Sequence, residues 1–416
     1  MAAHFHLSLL ETDDSSGPVI GRAEIWQSPE DGAGTREPVA DLVFEVNGVG
    51  SVKSDLAAFF PLALLLAMRA GKNLKVHGSL PSRWESDCQR FQEIAIACLP
   101  GCSLVAVDAQ WDRKPRGTGL SGEGILFSAD LDSISALHQI SPSHLIHIGS
   151  STGAEKLETF MRNVADRLSA HLVTVVPRIT LHGHHSFHLD DVPALMVAAV
   201  ANLLSESLGK ITWPSPRNWN SPPRGGDHFA LTECFLPEGN VLQFSGRGLT
   251  AMEKWTQAAT IPWAGEFLQV CERQTDDGIP CGTCPSCLRT RIALYALGEE
   301  TEWPRLVKCG PMNAELVSAC VECDRELCEE ALAVIKQRDE TSEVAAWLDE
   351  SLRRDRLDNW ARRLGEVGRE AIDTPAWTKL SRRLLPQVLA TAARVDSTWL
   401  LTLADQYQCT GGSSDD

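Results

Sequence analysis

The residues of this chain best suited to chemistry are four cysteines, Cys271-x9-Cys281-x2-Cys284-x2-Cys287, in the run CERQTDDGIPCGTCPSCLRT. Thiolates two residues apart in a Gly/Pro-containing turn can converge on one ion. Thiols that close in a loop make poor disulfide partners. Four sulfur ligands form a closed tetrahedral set, which suits zinc and leaves no position for a water nucleophile. The expected role of the ion is to fix a fold. Cys320-x2-Cys323 could be half of a second site, but no second close pair completes a tetrahedron, so these read as core or surface thiols on a helix.

Three other stretches carry polar groups that chemistry could use. Ser128-Ala129-Asp130-Leu131-Asp132-Ser133 lies where a strand turns into a helix. The bland reading of that turn is an ordinary cap, with Asp130 or Asp132 accepting the first helical N–H groups. The run LHGHHSFH supplies His182, His184, His185 and His188, whose spacing can bind a metal but more often makes a polar crossover. TWPSPRNWNSPPRGG carries Trp213, Arg217, Trp219 and Arg224, which can stack on a flat ring or simply bury indoles in a rigid loop. No Ser/His/Asp triad and no Walker loop can be argued from spacing.

The elements that must position these residues alternate in type. Strands are expected at 4–10, 19–26, 39–46, 73–78 and 103–109, with helices at 52–70 and 82–99; these make an N-terminal α+β domain over 1–112. The polar, Gly-rich stretch at 111–124 reads as a linker. From 120 to 300 the pattern becomes α/β: strands at 123–128, 144–149, 172–177 and 210–213 alternate with helices at 132–139, 154–169 and 192–208. That alternation indicates βαβ units and a parallel sheet. Ligands of such sheets sit at the carboxyl ends of the strands. Those ends are expected at Ser128-Ala129-Asp130, Gly149-Ser150, Pro177-Arg178 and Pro214-Ser215. Arg178 and the histidines are thereby candidate contacts for an anionic or purine-like ligand. Residues 301–408 read as a charge-laced helical extension, with amphipathic helices at 339–370 and 376–407, and 409–416 as a disordered tail.

Composition bounds the function. With 416 residues the chain exceeds one comfortable core. A net charge of −17 argues against an unaided grip on nucleic acid. Thirteen cysteines and no signal peptide lead to the expectation of a cytoplasmic protein using thiols as metal ligands. The apolar run Leu56–Met68 is too short to span a membrane and contains Pro61, so a buried helix is expected.

The cysteine run with the following LRTRIALYALG, taken together with SADLDS, resembles the 7-cyano-7-deazaguanine synthase family of PP-loop ATP pyrophosphatases. The likeness is greatest to divergent members with an extra N-terminal domain, some associated with anti-phage defence. It covers about residues 70–298. Where the family reads S-G-G-x-D-S, Ser128, Asp132 and Ser133 match, and Ala129 and Asp130 replace the glycines. A phosphate cradle needs backbone N–H groups turned inward, which glycine permits, and Asp130 puts a carboxylate beside the phosphate position. The family typically has a basic residue after the Thr in the helix preceding the zinc cysteines. Here Ala251 follows Thr250, and Arg247 and Lys254 are nearby substitutes.

The resemblance implies that residues Ser128, Ala129, Asp130, Leu131, Asp132 and Ser133 form the nucleotide site, with Ser128, Asp132 and Ser133 holding phosphate and Mg2+. It implies that ATP adenylates the carboxylate of 7-carboxy-7-deazaguanine before ammonia, or a partner-protein amine, attacks. Arg178 and Arg247 are candidate substrate contacts, and zinc on the four cysteines would brace a lid. Two readings remain open. One is an active ATP-dependent ligase. The other is a binding or assembly subunit in which the motif losses have weakened or abolished ATP chemistry, with protein contacts through the N-terminal domain or the C-terminal helices. An RNA-thiolation enzyme on the same fold is disfavoured by acidity and by the lack of a catalytic cysteine pair. Neither a membrane nor a direct nucleic-acid partner is expected.

Overall fold

The computed structural model describes residues 4–10, 19–28, 36–49, 52–53, 55–112, 122–149, 154–183, 192–215, 226, 228–237, 241–271, 273, 280–299, 303 and 309–356. His184, His185, His188, Arg217, Trp219, Arg224, Ser150, most of the 111–124 linker, the helix expected at 376–407 and the tail lie outside the described residues. The chain divides into two compact units, Met1–Gln269 and Val270–Asp416.

The first unit is built on one ten-stranded sheet. In chain order its elements are β1 (His4–Leu9), β2 (Val19–Gln27), β3 (Glu37–Asn47), α1 (Leu56–Ala70), β4 (Asn73–Pro81), α2 (Trp84–Cys98) and β5 (Val107–Asp112). They continue with β6 (Glu123–Leu126), α3 (Leu131–Ala136), β7 (His144–Ile148), α4 (Ala154–Leu168), β8 (His171–Leu181), α5 (Pro193–Leu203) and β9 (Lys210–Pro214). Last come α6 (Phe229–Glu233), β10 (Val241–Ser245), α7 (Ala251–Ala259) and α8 (Ala264–Phe267). The spatial order is β10-β9-β6-β7-β8-β3-β2-β1-β4-β5. Strands β6 to β10 are mutually parallel, β8-β3-β2-β1 pair antiparallel, and β1-β4-β5 return to parallel.

The sheet runs without a break across the two segments that the sequence divides near residue 120. The join is β3 against β8, antiparallel from Ala40↔Leu181 to Asn47↔Thr174. Gly48 lets β3 leave the sheet there. A Cβ on it would stand 2.0 Å from the Leu172 carbonyl oxygen, and its φ of +86° lies in the left-handed region. Strand β8 also runs four residues past Pro177 to Leu181. Pairing with β7 ends at Val175, so Pro177 sits where β8 has β3 on one side only and its missing N–H costs no ladder bond to β7. Strand β10 escapes the periodicity because VLQFS is too short to alternate visibly.

Helix α1 explains how the sheet is held. Leu56 to Met68 are all buried, as expected for an apolar run too short for a membrane. Asp55 caps the helix by accepting the Ala57 N–H, and Gly71 ends it in the left-handed conformation. Phe44 and Phe59 pack at 5.6 Å between ring centroids; Phe60, Trp84, Phe91 and Phe235 form a second aromatic knot. Each fully buried Leu or Phe contributes about 1.5–3 kcal/mol relative to exposure. Among the described residues no helix is long and apolar enough to cross a membrane.

The second unit contains α9 (Pro285–Leu297), α10 (Ala314–Cys323) and α11 (Arg325–Arg338), followed by helix over 343–356. Helices α10 and α11 both pack on α9.

Candidate functional sites: a thiolate cluster and a strand-end crevice

In the second unit the ligand sulfurs of Cys271, Cys281, Cys284 and Cys287 all lie within 4.8 Å of one another. Cys281 and Cys287 are 3.9 Å apart. A tetrahedron with metal–sulfur bonds near 2.3 Å has edges of about 3.8 Å, so the cluster could hold a metal ion. Among the described residues it is the group of three or more His, Cys, Asp or Glu side chains so arranged.

Local structure explains the convergence. Cys284 is the N-cap of α9 with Pro285 in its first turn, and its sulfur makes no capping bond. Cys287 follows on that first turn, where the partial positive charge of the helix N-terminus favours thiolates. Cys271 accepts the Cys281 N–H at 3.3 Å, and Cys281 accepts the Cys284 N–H at 3.3 Å. Burial pushes the Cys281 thiol up, but the N–H groups of Thr283 and Cys284, the Thr283 hydroxyl and Cys271 outweigh it and bring it down to about 6. Burial and the neighbouring thiols hold Cys287 far above the ordinary range. As ligands the four sulfurs would be thiolates, and a cation would balance their charge.

A second layer fixes the turn. Gly282 has φ +74°, and a Cβ there would stand 2.7 Å from the Cys309 Cβ. The Cys309 thiol donates to the Pro280 carbonyl at 3.2 Å. Arg291, buried, donates to the Gly282 carbonyl at 3.1 Å and the Gly310 carbonyl at 2.6 Å. Sequence reading did not single out Arg291 or Cys309. The available signal was that Arg291 stands one helical turn after Cys287, on the same face of α9.

In the first unit the parallel half has the order β8-β7-β6-β9-β10: third, second, first, fourth and fifth strands of that half. The order reverses between β6 and β9, and in open α/β sheets the crevice at such a point, outside the carboxyl ends of the strands, is where ligands bind. The turn Ser128–Ser133 leaves β6 at that point. Ala129 has φ +60°, the left-handed conformation glycine adopts freely, and it is fully buried. The Ala129 carbonyl accepts the Gln269 N–H at 2.7 Å.

The crevice is occupied by the chain's own charges. Asp130 is the N-cap of α3, accepting the Ser133 N–H at 2.8 Å on Oδ1 and the Ser128 hydroxyl at 2.6 Å on Oδ2. The capping reading of SADLDS thus describes Asp130. The Ser133 hydroxyl donates to the Asp130 carbonyl at 3.1 Å. Lys254, from α7, reaches across the switch point: Nζ is 2.6 Å from Asp132 Oδ1 and 2.7 Å from the Ser215 carbonyl at the end of β9. Its side chain is 6% exposed. Burial pushes the Asp132 carboxyl up to about 6, against the pull of Lys254. Thr250 opens α7 with a capping box to Glu253, which aims Lys254 inward one residue later. His147, at the end of β7, bonds the Phe127 carbonyl through Nδ1 at 3.1 Å; burial lowers its basicity.

Of the two candidate substrate arginines, Arg178 lies within a strand and Arg247 lies two residues past the carboxyl end of β10. Arg178 pairs with Val43 inside the β8–β3 ladder and binds Glu45 at 2.9 Å, so it is not at a strand end. The strand's four-residue extension past Pro177 is the reason. Arg247 is clamped between Phe229 and Phe244, its guanidinium carbon 3.9 and 3.2 Å from their ring centroids, with Glu233 at 3.7 Å. His182 bonds Asp41 at 2.9 Å, and Trp213 packs on Phe244.

No family model matches this chain, and no curated protein matches it. Among solved structures, one similar chain is described as the structure of a Type III CRISPR defence DNA nuclease activated by cyclic oligoadenylate, at 11% identity and a TM-score of 0.20. The match covers 78% of this chain and spans 57% of the length of that one. At that TM-score the likeness carries no argument about fold or function.

Proposed function

We propose that this chain is a zinc-binding relative of the 7-cyano-7-deazaguanine synthases with a degenerate PP-loop, its ATP pyrophosphatase activity weak or lost, and that it works as a binding or assembly subunit. Three features support kinship: the four-cysteine cluster suits zinc, SADLDS follows the central strand of the parallel half, and Ala129 holds a left-handed backbone conformation of the kind glycine adopts freely. One observation carries the silent reading. The Asp130 carboxylate already takes the Ser133 N–H and the Ser128 hydroxyl, the groups a phosphate would need.

Two further costs oppose ATP. Helix α3 has six residues, too few for a substantial N-terminal charge. Mg2+ on Asp132 would have to displace Lys254, and breaking a buried ion pair by removing one partner costs about 3–5 kcal/mol. The assembly role and its link to anti-phage defence rest on the resemblance and on the N-terminal strands and charged C-terminal segment as protein-binding surfaces.

The second reading, an active ATP-dependent ligase acting on a 7-deazaguanine carboxylate, draws on the retained Ser128, Asp132 and Ser133. Calorimetry with Mg-ATP and an ATP–pyrophosphate exchange assay with 7-carboxy-7-deazaguanine separate the two. The expected result is no exchange by the unaltered chain and detectable anion binding by the Ala129→Gly/Asp130→Gly double variant. Robust exchange by the unaltered chain eliminates the silent subunit. Elemental analysis is expected to give one zinc per chain.

A further inference from the structure

The second unit holds another set of sulfurs that the metal cluster does not use. Cys320, on α10, and Cys328, on α11, are both fully buried with sulfurs 3.5 Å apart. A single residue, Asp324, separates the two helices; its side chain caps α11 through the Leu327 N–H. Cys323, the last residue of α10, is exposed and stands three residues from Cys320, one turn away on the same helix. The arrangement is a buried dithiol with a surface thiol beside it.

We propose that Cys320 and Cys328 are a modification site: an oxidisable dithiol that closes to a disulfide across the α10–α11 corner, with Cys323 as its entry point. Closure needs the sulfurs to move from 3.5 Å to a bond length of about 2.05 Å. The Cys328 thiol donates to Cys320, and this contact with burial keeps it protonated, so direct attack by Cys328 on an outside oxidant is slow. Cys323 is accessible, although burial and then the neighbouring Cys320 push its thiol up as well. Its thiolate attacks one sulfur of a small-molecule disulfide, releasing one thiol and leaving a mixed disulfide. Cys320 attacks the Cys323 sulfur and expels the second thiol. Cys328 attacks the Cys320 sulfur; the Cys320–Cys328 bond forms as the Cys320–Cys323 bond breaks, and Cys323 recovers its proton. In sum, two protein thiols are oxidised and one small disulfide is reduced to two thiols.

The four cysteines of the metal cluster sit on the same unit and act as an internal control, because coordinated thiolates are held by their ion. The test treats the full-length metal-loaded protein with oxidised glutathione and maps disulfides by non-reducing peptide mass spectrometry, with metal content measured in parallel. The expected product is a Cys320–Cys328 cross-linked peptide, a mass loss of about 2 Da, and unchanged metal. Cys323→Ser, at an exposed position, is expected to slow the cross-link tenfold or more without abolishing folding. Three outcomes overturn the proposal: a stable glutathione adduct on Cys323 with Cys320 and Cys328 still free, a cross-link that forms only as metal is lost, or a rate that Cys323→Ser leaves unchanged.

Discussion

The cysteine turn and the Ser128–Ser133 turn solve the same problem in opposite ways. Each gathers groups of one polarity at the start of a helix. In the cysteine turn, four sulfurs converge within 4.8 Å, two of them accept backbone N–H groups, and the set could hold a metal ion. In the serine–aspartate turn the balance is internal: Asp130 takes the helix N–H and Lys254 takes Asp132. One site could take a metal ion, and in the other the chain's own side chains pair with one another. Donor types shared with a binding motif do not make a binding site once side chains of the chain itself satisfy them.

The strongest way to break this contrast is to remove the proposed ion. Structural zinc in thiolate sites carries apparent binding energies of about 10–16 kcal/mol, and that energy is folding energy. Cys284→Ser is expected to lower metal content and solubility together, with hydrogen exchange rising over 280–299 in the second unit. A fully metallated, stable variant would contradict the four-cysteine assignment. Chelator treatment of the unaltered chain should give the same loss in the second unit and no change in ATP response.

A smaller effect is expected from the crevice. Lys254→Met leaves Asp132 buried without its cation, costing about 3–5 kcal/mol at pH 8 in urea denaturation. The pH dependence has a definite sign. Asp132 moves from 3.8 when unfolded to about 6 when folded, so between those values the folded state binds more protons. Its contribution is fully present below about pH 4 and declines as pH rises through 6, by on the order of 3 kcal/mol. Asp132→Asn should flatten that slope. A slope unaltered in the Asn variant would show that another group titrates.

The smallest effect sharpens the comparison at the backbone. Ala129→Gly relieves about 1 kcal/mol of left-handed strain but gives up a buried methyl and adds unfolded-state entropy, so the change should fall within about 1 kcal/mol of zero. Ala129→Val, β-branched at the same φ, should cost about 2 kcal/mol or more. Thermal melts of both variants measure it. A neutral Val would mean that the turn is not held left-handed.

The division between legible and hidden features follows sequence distance. The cysteine cluster is legible because its spacing is local, so one turn brings the sulfurs together. The apolar helix Leu56–Ala70 and the alternation of strands and helices from 123 to 214 are legible because period and burial coincide. The site of Arg178 was misread because Pro177 looks like a strand end, and only the neighbour β3 explains why β8 continues. Cys320 was legible only as a core or surface thiol on a helix. That it faces Cys328 depends on the angle of the corner at Asp324, which eight residues of sequence do not reveal.

By itself the sequence determined local chemistry and local conformation: four cysteines in a turn, a capped strand-to-helix corner, a helix apolar on every face. These follow from spacing and from the chemistry of single side chains. Only the tertiary structure decided that the corner is shut. Asp132 and Lys254 are 122 residues apart, and nothing local to either one specifies the other. Their pairing comes from the strand order, which sets β6 beside β9 and brings α7 over the gap, and long-range order of that kind is fixed by packing of the whole sheet.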